Sequence, residues 1–116
     1  MGTKRTGKVL CCPPEPVQPE RSLPLEGIEA DQELARLSKA IGHSARVRIL
    51  RVLSQKEACV CSQIVDELPL AQSTVSEHLR ILKESGLVRS TQDGLRVGYC
   101  INLDRLRRLK ALIAVI

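Results

Sequence analysis

The chain has 116 residues, enough for one domain of ordinary size. Its formal net charge of +5 and isoelectric point near 9.2 favour a polyanionic partner. Tyr99 is the single aromatic residue, which argues against reading single strands or RNA by base stacking. No apolar run approaches the roughly 18 residues of a membrane span, and no signal-peptide pattern is present. The expectation is a cytoplasmic chain whose five cysteines are reduced and serve a metal or a redox role.

Residues 1–25 hold five of the six prolines, together with Lys4, Arg5 and Lys8. That density of proline excludes helix and central strand, so the segment reads as a flexible arm carrying Cys11 and Cys12. Residues 26–116 read as the folded unit. A first helix is predicted over Ile28 to Ile41, with Leu34, Leu37 and Ile41 on one face and Gly42 as its stop. Ser44 is expected to cap a second helix reaching about Leu53, with Val47, Leu50 and Leu53 on its apolar side. A short third helix follows from about Ser62 to Leu68, and Pro69 forces a turn.

The next helix starts near Ala71 or Gln72. Val75, Leu79 and Leu82 follow one another at spacings of four and three, giving one apolar stripe. Gln72, Ser73, Thr74, Ser76, His78 and Arg80 are the residues expected to reach base edges or phosphates. For His78 a hydrogen-bonding role is preferred over metal ligation. Gly86 stands where a left-handed residue usually ends a helix. Two short strand-like runs follow, Leu87 to Thr91 and Leu95 to Ile101, around Gln92-Asp93-Gly94, a hairpin signal. A ribbon directly after a reading helix is a wing, and its Arg89 and Arg96 are placed to meet phosphates. A last helix, from Asp104 to about Ile116, carries the apolar stripe Leu106, Leu109, Ile113 and Ile116, which needs a partner surface. The predicted fold is mainly α with a small β-hairpin, a winged helix-turn-helix, homodimeric through the first and last helices. The expected partners are double-stranded operator DNA and a second copy of the chain.

This order of elements, with Gln72-Ser73-Thr74-Val75-Ser76-Glu77-His78-Leu79 and Leu82-Lys83-Glu84-Ser85-Gly86-Leu87-Val88, resembles the ArsR/SmtB family of metal-responsive repressors. The similarity covers about Asp31 to Leu112 and is most specific at Glu57-Ala58-Cys59-Val60-Cys61. The resemblance implies a homodimer that holds its operator when metal-free. It also implies that thiols at Cys59 and Cys61 bind the inducer. Some relatives bind zinc on the terminal helix through histidines and carboxylates, but no histidine follows Asp104 here. The family's arsenic-sensing pattern has a further cysteine where this chain has Ile64, so a local three-thiol site is impossible.

Physical reasons point to the same thiols. In an extended segment, residues two apart point to one side, so Cys59 and Cys61 would grip one soft ion together. Cys61 also stands at a predicted helix N-terminus, which favours its thiolate. Cys11 and Cys12 have no packing reason to sit in a mobile arm, and the arm can fold back to add one or two thiolates across the dimer. Soft thiolates exclude magnesium and calcium. Three thiolates suit trivalent arsenic or antimony, or lead, and four suit cadmium or zinc. The reading taken is release by arsenite or antimonite at Cys11, Cys12, Cys59 and Cys61. The alternatives are a cadmium, lead or zinc sensor using the same cysteines and a thiol redox-sensing repressor. Cys100, at the end of the second wing strand, is expected to lie away from the thiol cluster. An enzyme is disfavoured, since the chain has no base–nucleophile pairing and no glycine-rich phosphate loop. A metal carrier without DNA affinity is the remaining rival.

Overall fold

In a computed structural model, residues 23–55 and 59–116 are described. Cys11 and Cys12 lie outside them. The elements run α1 (Ile28–Ala40), α2 (Ser44–Ser54), β1 (Cys59–Val60), α3 (Cys61–Val65), α4 (Gln72–Ser85), β2 (Val88–Asp93), β3 (Arg96–Ile101) and α5 (Leu103–Ala114). The arrangement is a winged helix-turn-helix, as the patterning predicts. None of the helices is long and apolar enough to cross a membrane among the described residues.

The core is built from the predicted stripes where only one stripe is available. On α4, Val75, Leu79 and Leu82 are fully buried, and Leu37 of α1 joins them. Burying a leucine side chain of this kind contributes about 2 kcal/mol. Gly86 closes α4 with φ 88°, the left-handed value expected of a helix-stopping glycine. Gly42 does no such thing: α1 ends at Ile41 with φ −95°, and Gly42 merely donates its N–H to the Lys39 carbonyl.

Two further details differ from expectation. The cap of α2 is His43, not Ser44, because the His43 ring Nδ1 accepts the Ala45 N–H at 3.0 Å. The buried face of α2 is also rotated, to Ala45, Ile49, Val52 and Leu53, leaving Val47 and Leu50 half-buried. Apolar residues occupy six of the positions from 45 to 53, so more than one stripe was available. Packing against α4 and β3 selected among them.

The sheet has three strands in the order β1-β3-β2, all antiparallel, where the sequence pattern suggested a two-stranded ribbon. β2 and β3 pair from Val88↔Ile101 to Asp93↔Arg96. The loop is therefore Gly94-Leu95, with Gly94 at φ 65° as its first residue, the pattern of a type II′ turn. That is one residue later than Gln92-Asp93-Gly94. β1 adds Cys59↔Tyr99 and Val60↔Gly98 on the other edge of β3.

α5 is capped by Asn102, whose side chain accepts the Arg105 N–H at 3.2 Å. Its buried residues are Leu109 and Leu112, with Leu106 partly buried against the core, while Ile113 and Ile116 are exposed. Residues 23–25, the part of the expected arm that is described, lie against the folded unit. Arg108 donates to the carbonyls of Leu23 and Pro24 at 3.0 and 2.9 Å, and Leu25 packs on the core.

Candidate nucleic-acid interface and thiol site

Helix α4 is held by its apolar face, so the rest of its surface is free to read. Gln72, Ser73, Thr74, Ser76 and Arg80 are all exposed. They span a little over two turns of one helix, the span a recognition helix presents to a major groove. Arg80 is not a bare charge. Its guanidinium donates to both Glu77 oxygens and to Glu84. These bonds hold the Glu77 carboxyl below its ordinary range and push the arginine still higher.

His78 is the exception among the expected reading residues. It is only 8% exposed, on the buried side of α4 with Val75 and Leu79. Its Nδ1 accepts a hydrogen bond from Arg46 Nη1 at 3.2 Å, and its ring lies 4.5 Å from that of His43. Arg46 is anchored in turn by donating Nε–H to the Ala40 carbonyl at 2.6 Å. Burial lowers the His78 pKa first, and the nearby positive charges of His43 and Arg46 lower it further. The preference for hydrogen bonding over ligation thus fits the geometry. His78 stands three residues after Val75 and four before Leu82, so the spacing of the buried face already carried it inward; its partner on α2 was not legible from α4 alone.

Arg96 is exposed at the start of β3, beside the tip of the wing. Arg89 is half-buried near the base of β2, opposite Cys100.

The thiol segment is extended only as far as Val60. Cys61 is the first residue of α3, so the alternation argument, in which Cys59 and Cys61 face one way along a strand, stops one residue short. Cys61 is partly exposed and free, with its Sγ 3.5 Å from Ser76 Oγ on α4. Tyr99 stands beside it. Its hydroxyl titrates above the ordinary value, first because of burial and then because of the neighbouring Cys61 charge. The Cys59 side chain and both arm cysteines lie outside the described residues. Among the described ones, no three His, Cys, Asp or Glu side chains converge on one point.

Cys100 differs most from expectation. Strand β3 carries it beside β1, one register step from Tyr99, the partner of Cys59. It is buried and disulfide-bonded. A two-residue strand is too short to announce itself by alternation, so nothing in the sequence pattern joined Cys100 to the β1 neighbourhood.

Comparison with known proteins agrees with this geometry. A family model described as the bacterial regulatory protein arsR family matches residues 43–90, from the α2 cap through the start of the wing. The chain is 37% identical over 87 residues to an HTH-type transcriptional regulator of Methanocaldococcus jannaschii, spanning 74% of this chain and 97% of that protein. It is 32% identical over 78 residues to the cadmium resistance transcriptional regulatory protein CadC homolog of Staphylococcus aureus, spanning 66% of this chain and 64% of that protein. A solved homodimeric winged helix-turn-helix domain from Mycobacterium bovis superposes with a TM-score of 0.63 at 31% identity, covering 75% of this chain and 80% of that one. A possible transcriptional regulator for arsenical resistance gives 0.64 at 26% identity, covering 69% and 82%. The chain belongs to the ArsR family of bacterial regulatory proteins, and it is a winged helix-turn-helix transcriptional regulator of the DNA-binding kind, not an enzyme.

Proposed function

We propose that this chain is a cytoplasmic metal(loid)-responsive repressor, bound to operator DNA as a homodimer when metal-free and released when arsenite or antimonite takes its thiolates. The observation that carries the reading is the 3.5 Å contact between Cys61 Sγ and Ser76 Oγ. An inducer ligand and a base-facing residue are then neighbours. A metalloid drawn to Cys61 must disturb Ser76, and DNA held through Ser76 must disturb the metalloid site. Such coupling is reciprocal and typically amounts to about 1–3 kcal/mol. Gln72, Ser73, Thr74, Ser76 and Arg80 would meet the major groove, and Arg89 and Arg96 the flanking phosphates. His78 would act by positioning α4 through Arg46.

Cys11, Cys12, Cys59 and Cys61 form the proposed ligand set. Twelve residue-to-residue steps separate Cys11 from Leu23. Fully extended, they reach about 40 Å, comparable with the 43 Å long axis of the molecule. The arm of either protomer can therefore meet the β1–α3 corner. Dimerisation is supported by the apolar side chains that α1 and α5 leave in solvent, Ile28 (75% exposed) and Ile113 (47%) among them.

The same four thiolates would hold cadmium, lead or zinc, and the likeness to the cadmium-resistance regulator keeps that reading beside the first. A redox-sensing repressor is favoured by one observation, the disulfide at Cys100. Fluorescence anisotropy of the reduced protein on its own upstream DNA separates these, with arsenite, antimonite, cadmium, lead and zinc titrated in turn. Release by arsenite and antimonite alone supports the proposal. Release by cadmium, lead or zinc moves it to the divalent ions, and release only by oxidant in the presence of a chelator replaces it with the redox reading.

A further inference from the structure

A cavity of about 620 Å³, open to solvent on one side, lies at the base of the wing, bordered by β2, the C-terminal end of α4, α5, Glu33 of α1 and the segment at 23–25. Its volume is that of a small-ligand site. Five cations line it, Lys83, Arg89, Arg105, Arg107 and Arg108, against two carboxylates, Glu33 and Asp104, an excess of three positive charges in a concave space.

The two carboxylates are already committed. Arg108 Nε donates to both oxygens of Glu33, and Nη2 donates to Oε1 at 2.9 Å. Asp104 lies 3.7 Å from Arg107. Lys83 and Arg105 close no ion pair among the described residues. Arg105 lies flat against the glycine that ends α4: a Cβ on Gly86 would stand 3.3 Å from the Arg105 Cζ. The glycine therefore leaves room for the guanidinium at the cavity wall. Leu25, Val88 and Ala111 give the cavity an apolar side.

We propose that this cavity binds a small organic anion with an apolar body, of which a medium-chain carboxylate is the simplest case. Lys83 and Arg105 take the anionic head, and Leu25, Val88 and Ala111 take the body. Charge excess alone would suit any anion, and the apolar wall alone any hydrophobe; the two together select an amphiphilic anion. The site uses none of the cysteines, so it stands whether or not the metalloid reading does. Lys83 belongs to the last turn of the recognition helix and Arg105 to the first turn of α5. An occupant would bridge the reading element to the helix proposed for dimerisation.

The test is calorimetric titration of the full reduced chain with octanoate, and in parallel with octanamide and inorganic phosphate. Saturable binding of octanoate at one site per chain is expected, with octanamide and phosphate each at least tenfold weaker. The double substitution Lys83→Gln, Arg105→Gln should weaken octanoate at least tenfold with the far-ultraviolet circular dichroism unchanged. Ala111→Met, which grows a side chain into the cavity, should do the same without altering charge. Absence of octanoate binding overturns the proposal. So does equal binding of octanamide, which would mean an apolar surface only, or equal binding of phosphate, which would mean charge only. Unchanged octanoate affinity in folded variants of both kinds would place the carboxylate elsewhere and overturn it as well.

Discussion

Cys61 on α3 and Ser76 on α4 touch across the turn of the helix-turn-helix, sulfur to oxygen at 3.5 Å. Ser76 is exposed on the reading face, and Cys61 is free and partly exposed. A free thiol is thus in contact with a side chain proposed to meet DNA. On the proposed reading, Ser76→Ala would remove one neutral hydrogen bond to DNA, worth about 1 kcal/mol, so operator affinity should fall about fivefold. The stoichiometry of arsenite binding should stay at the wild-type value, which thiol titration with and without arsenite checks.

The Arg80 cluster sets a second expectation. Glu77 and Glu84 occupy the Arg80 donors, so the charge of this residue reaches DNA only after those bonds exchange. Exchanging exposed ion pairs costs little, because such pairs contribute about 0–1 kcal/mol. The double substitution Glu77→Gln, Glu84→Gln should therefore tighten operator binding and steepen its dependence on salt. Each additional phosphate neutralised adds about 0.9 to the slope of log affinity against log salt. Anisotropy at several salt concentrations reads that slope directly.

The His43–His78–Arg46 contact predicts a pH dependence. His78 Nδ1 accepts from Arg46, so this ring serves its partner in the neutral form. The pKa of His78 is lowered in the fold, chiefly by burial, and then by the positive charges of His43 and Arg46, with Glu77 opposing them. The folded chain therefore binds fewer protons at this site than the unfolded chain does. The resulting stability is complete above the unfolded histidine value of about 6.5 and is lost as pH falls below it. Chemical denaturation across that range should show the decline, and His78→Gln should flatten it.

Arg108 joins α5 to α1 and to the segment before it. Its side chain is 11% exposed and that of Glu33 is 16% exposed. Arg108→Ala leaves the Glu33 carboxylate and two backbone carbonyls without their donor. The pair is part-buried, so breaking it costs less than the roughly 3–5 kcal/mol of a fully buried pair, and the loss appears in the denaturation midpoint. The Arg108 hydrogen bonds hold the Glu33 pKa below its ordinary value. That contribution is present above the unfolded glutamate value of about 4.3 and disappears as pH drops below it.

The residues that announced the reading helix did so because each had a single reading. Val75, Leu79 and Leu82 make one stripe, and Gly86 makes one stop, so α4 was legible almost to the residue. α2 offered several apolar stripes, and only its neighbours α4 and β3 could select Ile49 and Val52. The helix at 61–65 and the strand at 59–60 were harder still. β1 exists by pairing with β3 some forty residues later, a non-local contact that two residues cannot encode. The proximity of Cys100 to β1 was hidden for that reason, as was the contact between Cys61 and Ser76, which depends on how α3 and α4 cross. The partner of His78, Arg46, stands thirty-two positions away in sequence.

The most direct test of the coupling between thiol and reading helix is operator anisotropy on reduced Cys61→Ser protein, with and without arsenite. The substitution keeps a small polar atom beside Ser76 while removing the soft ligand. The predicted result is operator affinity within about twofold of wild type, the scale of a minor change at one hydrogen bond, and no release at arsenite concentrations that free the wild-type protein. Full release of the variant by arsenite would contradict the account, because the metalloid would then act without the thiol that touches Ser76 on α4.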